Sequence, residues 1–397
     1  MNIKIFSINR HTRRITELFK YFLKAEKEWC KVLKRDVVIY DVASTECFLQ
    51  YLSDYGVIYV RGERLNLRVL AGAVLSIKFY KDPLFTYSIL CLRSMKPRLI
   101  LTTIDNDYRF FEISNLFPNA ITIMVQNGVR DDILDVWAHK DKFPCNPRVD
   151  YMVVFGNAYG RFINKYIKGK VIVAGSYRSN KFLLPKIQKD RTILFISQIS
   201  QGADSSKFGA LAGGGVVTHF DFSRAEADLL PQVHRWCQTN GYQLKILARS
   251  NNIKERRFYT ELLPNADWEY RPPNGSSTTY GMVDEAEIVV GIDSTLVLES
   301  LGRGNKTAVF SLRGNYIRNW PSVFWPSEPT EVGPFWTNSS SESEVNRVLS
   351  FLTNVDSIAW GNCLESHVSD HIIFDSNNSR LKSLISSIVK AQACEAL

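Results

Sequence analysis

Residues 289–304 read V-V-G-I-D-S-T-L-V-L-E-S-L-G-R-G. Apolar β-formers run into Gly291, the polar trio Asp293-Ser294-Thr295 follows, and an apolar, helix-compatible stretch carrying Glu299 ends in the glycines at 302 and 304. Strand, sharp turn and helix start in this order place hydroxyls and open backbone N–H groups at the carboxyl end of a strand. Such a corner suits an anion, because a helix N-terminus carries partial positive charge and unpaired donors. Glu299 lies little more than a turn further on, where a carboxylate is placed to accept hydrogen bonds from the two hydroxyls of a ribose. The stretch therefore reads as a nucleotide-sugar site. Taken alone it fits an ordinary capped helix equally well, since Asp-Ser-Thr caps are common.

The chain has 397 residues, enough for two domains. Hydrophobic content of 45% and charged content of 22% describe a soluble globular protein. A net charge of +9 fits an anionic membrane face, an acidic substrate or simply a basic surface. No long Lys/Arg block and no nucleic-acid motif occurs, so nucleic acid is not an expected partner. The seven cysteines are odd in number and form no Cys-x-x-Cys pair. That argues against a disulfide framework or a zinc site and for a reducing cytoplasm. The opening Met1-Asn-Ile-Lys-Ile-Phe lacks the apolar core of a signal peptide. The most apolar run, residues 69–77, is far short of the ~20 residues that span a bilayer.

Short Val/Ile/Tyr-rich runs at 36–40, 57–60, 98–102, 121–125, 151–155 and 171–173 read as buried strands. Helix candidates at 65–77, 107–116 and 158–166 alternate with them. Such alternation implies a parallel sheet covered on both faces, with ligands beyond the carboxyl ends of its strands. The polar residues after those strands include Asp41, Arg61, Asp105, Gly156-Asn157, Gly175-Ser176 and Gln126-Asn127-Gly128-Val129-Arg130. The Asn-Gly pair makes a tight turn, from which Gln126, Asn127 and Arg130 are expected to face a cleft. Residues 180–190 are polar and basic and read as a linker between a first domain, 1–182, and a second, 191–397.

The second half restarts with a strand at 191–196 ending in Ser197-Gln198. A long Ser/Gly/Ala loop follows, including Gly213-Gly214-Gly215, and reads as a lid. Ser223 with Glu226 has capping-box spacing. Further elements are a helix from there to Gly241, a strand at 243–248 tipped by Arg249, and a helix at 253–263. A short helix at 280–285 leads into the opening stretch, and a strand at 306–312 is tipped by Arg313. Residues 315–337 form an irregular, Trp/Pro-rich segment. Helices at 340–354 and 379–393 close the chain, the last expected to pack back across the domain boundary.

The succession F-I-S-Q, F-D-F-S-x-x-E-x-x-L-L-P, L-K-I-L-A-R-S and V-V-G-I-D-S-T-L-x-x-E-S-L-G-R-G-N-K-T-A-V-F resembles bacterial surface-carbohydrate glycosyltransferases. It is most similar to the β-Kdo transferases of capsule and O-antigen assembly. The resemblance covers residues 191–313, with only Q-N-G-V-R and the strand pattern before it. It implies an α/β GT-B fold, two Rossmann-like domains facing a cleft, with the sugar nucleotide held mainly by the second. It also implies CMP-Kdo as donor, a glycan acceptor expected to be lipid-linked, and no metal cofactor. Asp105-Asn106-Asp107 is the nearest thing to a metal-binding Asp-x-Asp, and it stands in the wrong half.

CMP-Kdo carries a phosphodiester and a carboxylate, so its cleft must present donors. Ser294 and Thr295 suit the phosphate and Glu299 the ribose. Arg249 and Arg313, at strand ends, suit a phosphate or the Kdo carboxylate, each with a surface ion pair as the bland alternative. Ser197 and Gln198 are expected to line the cleft. Loss of CMP leaves positive character at the anomeric carbon, which a carboxylate can stabilise or attack. Asp221 is the candidate nucleophile and Asp293 its rival; either also fits a helix-start acid. His219 is a candidate acid or base, or a plain turn residue. The acceptor's base is expected from Asp105, Asp107 or Asp131. The basic N-terminal residues Arg10, Arg13, Arg14, Lys20, Lys24, Lys27 and Lys31 fit contact with anionic lipid, and equally a solvated helix face. The expected setting is cytoplasmic, peripheral to the inner face of the membrane. A UDP- or GDP-sugar transferase and a non-catalytic glycan-binding module are the competing readings.

Overall fold

A computed structural model describes residues 22–130, 137, 140–185, 189–199, 206–210, 215–264, 266–318, 320 and 332–394. Two six-stranded parallel sheets dominate it. The first contains, in spatial order, Gly56–Ile58, Val37–Tyr40, Leu99–Thr102, Ile121–Val125, Arg148–Val154 and Lys168–Val173. Every residue of Val37–Tyr40 and Leu99–Thr102 is buried, because helices cover both faces. The second contains Trp268–Arg271, Gln243–Leu247, Asp190–Ile196, Ala286–Gly291, Thr307–Phe310 and Trp336–Thr337. Renumbered within its domain its order is 3-2-1-4-5-6, the dinucleotide-fold order, with its switch point between Asp190–Ile196 and Ala286–Gly291. The opening stretch of sequence therefore leaves the sheet where this architecture binds ligands. The chain has an α/β GT-B fold.

The C-terminal helix Ser379–Cys394 returns to the first domain. Leu381, Ile385 and Ile388 form one stripe and pack with Val37, Ile39, Leu99 and Leu101. Their approach is threaded through two glycines. A Cβ on Gly156 would stand 2.4 Å from the Asp370 carbonyl oxygen, and one on Gly175 2.2 Å from that of Ile373. Across the same seam Ile373 N–H donates to Phe155 O at 3.1 Å and Ala158 N–H to Asp370 O at 2.8 Å.

Several elements differ from their sequence reading. The helix expected at 65–77 splits into a strand, Arg64–Asn66, and a helix, Leu67–Val74, because Asn66 accepts from the N–H groups of Arg68 and Val69 and caps the helix there. The helix expected from Ser223 begins at His219, capped by Thr218 in a capping box with Asp221, so Ser223 and Glu226 lie inside it and are buried. The helix expected at 280–285 starts at Gly275. Part of the expected lid is an antiparallel hairpin, Lys207–Ala210 with Val216–Thr218. The helix Pro83–Met95 went unread although Asp82-Pro83 is a start signal, Asp82 capping and proline at the first turn. Lys27 lies in a strand rather than on a helix face. Arg10, Arg13, Arg14, Lys20, Asp131, Gly213, Gly214 and much of 315–337 lie outside the described residues.

Gly156→Ala is expected to destabilise the protein by about 1–3 kcal/mol, since backbone rather than a flexible side chain blocks the new methyl. Hydrogen exchange should speed up first at residues 370–378. Gly361→Ala, in an open helical position where a Cβ meets nothing within 4 Å, should instead leave stability unchanged or raise it by about 0.5–1 kcal/mol. Urea unfolding of both variants checks the contrast.

Candidate functional site

The helix Thr295–Gly302 and its C-cap Arg303 face the first domain with residues four apart, which places them on one stripe. Thr295 Oγ1 accepts the Val129 N–H at 3.1 Å. Glu299, 4% exposed, accepts the Ser176 hydroxyl on Oε1 and the Tyr280 hydroxyl on Oε2, the latter at 2.8 Å. Arg303 donates to the Ser179 and Phe182 carbonyls at 3.0 Å each while pairing with buried Asp284. Burial raises the Glu299 carboxyl above the usual carboxylate range, and the two hydroxyls with the charges of Arg178 and Arg303 pull it back.

A cavity of about 430 Å³ opens at the top of this stripe, lined by Arg178, Gly275, Ser276, Thr279, Ser294, Thr295 and Glu299 among others. Two helix N-termini meet there, those of Thr295–Gly302 and Gly275–Glu285. Ser294 caps the first through Leu296 N–H at 3.3 Å. Asn274, the cap of the second, makes no side-chain capping bond, which leaves the first-turn N–H groups of that helix open to a ligand. Arg178 is exposed and forms no ion pair with a described residue. The arrangement offers a guanidinium, hydroxyls and helix-end amides at one end and a carboxylate floor at the other. That set fits a phosphate and a diol.

Beside the cavity lies a buried polar hub. Arg313 Nε sits 2.9 Å from both oxygens of Asp293, its Nη2 2.6 Å from Gln198 Oε1, and its Nη1 on the Phe222 carbonyl. Trp320 donates a further bond to Asp293 at 3.1 Å. Ser197 Oγ donates to Glu255 at 2.5 Å and lies 2.6 Å from the Tyr259 hydroxyl, which also meets Glu226. Each hydroxyl has one proton. If Ser197 donates to Glu255, Tyr259 must donate to Ser197, and Glu226 must then supply the proton between itself and Tyr259. Burial pushes Glu226 up to about 7, against the pull of Arg313 3.9 Å away. Asp293 is the primary partner of that guanidinium, so the upward shift stands.

A family model described as "putative O-antigen biosynthesis protein" matches residues 123–388. The chain belongs to this O-antigen biosynthesis family. No curated protein matches it in sequence. Among solved structures it is similar to S. aureus MnaA in complex with UDP, at 11% identity and TM-score 0.52 over 93% of this chain and 97% of that one. The UDP-GlcNAc 2-epimerase of Neisseria meningitidis bound to UDP-GlcNAc aligns at 11% identity and TM-score 0.50, over 91% and 100%. The wall teichoic acid polymerase TagF, soaked with CDPG, aligns at 10% identity and TM-score 0.50 over 99% of each chain. At these identities the likeness concerns the fold.

In this O-antigen family member the sequence-derived candidates separate into groups. Ser294, Thr295 and Glu299 line the cavity. Ser197, Gln198, Asp293 and Arg313 belong to the hub; Arg313 is buried there and so is not an open anion clamp, because its donors are consumed internally. Arg249 is exposed and reaches Gln198 O at 3.2 Å. Asp221 accepts the Thr218 N–H at 3.0 Å and hydroxyl at 2.7 Å through Oδ2, which holds its carboxyl below the usual range. His219 packs edge-on against Phe208. Gln126 does not face the cleft: buried, it accepts Phe155 N–H and donates to Gly128 O, both at 2.9 Å. Arg130 pairs with buried Asp105, and Asn127 N–H donates to the same carboxylate at 3.2 Å. Asp107 is half-buried and raised by desolvation. Ser176 stood among the polar residues at strand ends but was given no role, and Arg178, Tyr280 and the Gly275 helix start were missed as site residues. The Asn274-Gly275 pair, read as a helix start rather than passed over, would have pointed to the last.

Glu226→Gln preserves the shape and the donor towards Tyr259. A carboxyl raised in the folded state stabilises fully below its unfolded value near 4.5, and that contribution is lost as pH rises through about 7. Relative to the Gln variant, wild type should therefore lose on the order of 3 kcal/mol between pH 4.5 and 7.5. Chemical denaturation of both proteins across that range is the measurement.

Proposed function

We propose that the protein is a glycosyltransferase that moves Kdo from CMP-Kdo to a surface-glycan acceptor. The observation that carries this reading is the cavity where Arg178 and two helix N-termini stand over the buried Glu299 carboxylate. Phosphate would lie on Arg178, Thr295 and the open amides of the Gly275 helix. Glu299 has two lone-pair positions left after Ser176 and Tyr280, enough for a ribose diol. Membership of an O-antigen family supports a glycan acceptor, expected to be lipid-linked and met at the inner face of the cytoplasmic membrane.

In this reading the bond between the anomeric carbon and the phosphate oxygen breaks, and its electron pair leaves with CMP. Asp221 attacks to give a glycosyl ester, which the acceptor hydroxyl displaces with retention overall. Asp221 is favoured over Asp293 by its partners. Asp293 has both oxygens taken by Arg313 and one also by Trp320, whereas the bonds to Asp221 fall on Oδ2 alone. Asp107 is the better acceptor base, because Asp105 is neutralised by Arg130. His219 and Arg249 do not line the cavity and keep only their sequence-based candidacy for the donor sugar, and no metal is assigned a role.

A UDP-sugar donor is the second reading, favoured by the UDP and UDP-GlcNAc held in similarly folded proteins. Calorimetry with CMP, UDP and GDP separates the two. CMP should bind, and Arg178→Ala should weaken it by about 10- to 100-fold with unchanged melting temperature. Binding of UDP or GDP in place of CMP would move the donor assignment while keeping the site. With CMP-Kdo and a short synthetic acceptor, NMR should show a new glycosidic product that Asp221→Asn abolishes. An active Asp221→Asn enzyme would remove the nucleophile assignment, and CMP binding without any transfer would favour a non-catalytic module.

A further inference from the structure

The most apolar run of the chain faces solvent over much of its length. The helix Leu67–Val74 buries Ala73 alone among its residues. After it, Leu75 is 87% exposed and Ile77 82%, with Val74 and Tyr80 open beside them. At the other end of the helix, the cap Asn66 donates its side-chain amide to the Cys30 carbonyl at 2.8 Å. That bond brings in the segment carrying Trp29, 68% exposed, and Leu33, 61% exposed. Two apolar protrusions thus flank one short helix about 12 Å long.

Charge singles out the same region. Residues 1–100 hold eighteen Lys and Arg against nine Asp and Glu, while the remainder of the chain holds thirty-one of each. Of that excess of nine, five lie in residues 22–100, and the other four in residues 1–21, outside the described residues. No acid occurs from 65 through 81, where Arg68, Lys78 and Lys81 stand, and Lys31 and Lys34 flank Leu33. Among the described residues no helix is long and apolar enough to cross a membrane.

We propose that this face of the first domain docks on an anionic lipid bilayer. Leu75, Ile77 and Trp29 enter the boundary between headgroups and acyl chains, and the flanking cations lie over lipid phosphates. Tyr80 and Trp29 have the amphipathic rings favoured at that depth. A second copy of the chain fits less well, because a two-fold contact would press one cationic face against itself. The proposal holds for any donor nucleotide. It rests on the transferase reading only in that a lipid-linked acceptor would be met there.

Co-sedimentation of the full chain with phosphatidylglycerol-rich vesicles and with pure phosphatidylcholine vesicles tests it. Binding to the anionic vesicles should be at least about ten-fold tighter and should weaken with salt. The double variant L75E/I77E should lose at least about ten-fold with its CMP affinity and melting temperature unchanged. Should that variant fold poorly, brominated acyl chains provide a second readout: they should quench emission in wild type and quench it less in Trp29→Phe. Equal binding by L75E/I77E, or equal affinity for both lipids, would overturn the proposal. So would loss of binding on charge reversal of Arg13 and Arg14 alone, or a wild-type dimer that ignores vesicles and becomes monomeric in L75E/I77E.

Discussion

Two side chains on one short helix and a third from its C-cap hold the two domains in register. Thr295, Glu299 and Arg303 each bond to the first domain or to the segment that leaves it, at a loop amide, a serine hydroxyl and two carbonyls. Glu299 is costly to bury, and hydroxyls from both sides of the seam satisfy it. Because the same carboxylate floors the cavity, the contact that fixes the domain arrangement also fixes the depth of the site. The returning C-terminal helix and the close passage at Gly156 and Gly175 add a second attachment to the first domain.

The hub around Arg313 works on the second domain alone. It ties the strand end at Gln198, the start of the long helix at Phe222 and the corner at Asp293 to one guanidinium. Ser294 follows Asp293 directly, so the corner that opens the cavity is braced from behind by a buried charge rather than by a flexible turn. A planar fork with several fixed donors does this where a lysine would supply only a point charge.

Much of this was legible in the sequence. Strand, Asp-Ser-Thr corner and Glu299 gave the helix start and the carboxylate one turn on, because hydrophobic periodicity and capping chemistry are local. What lay outside local reach was partnership. Arg313 and Asp293 look like a free cation and a free carboxylate in sequence, yet each uses the other. Gln126 looks like a loop-tip residue, yet its amide closes its own loop. Ser223 and Glu226 have the spacing of a capping box, but Thr218 with Asp221 has it too and begins the helix a turn earlier. Arg178 carries no motif at all and enters the site only because the two domains fold towards each other.

A crystal structure of the protein with CMP tests the central claim most directly. The account predicts the phosphate within hydrogen-bond distance of Arg178, Thr295 and the first-turn amides of the Gly275 helix, with the ribose hydroxyls on Glu299. A nucleotide bound elsewhere on the second domain, with this cavity holding only solvent, would contradict it.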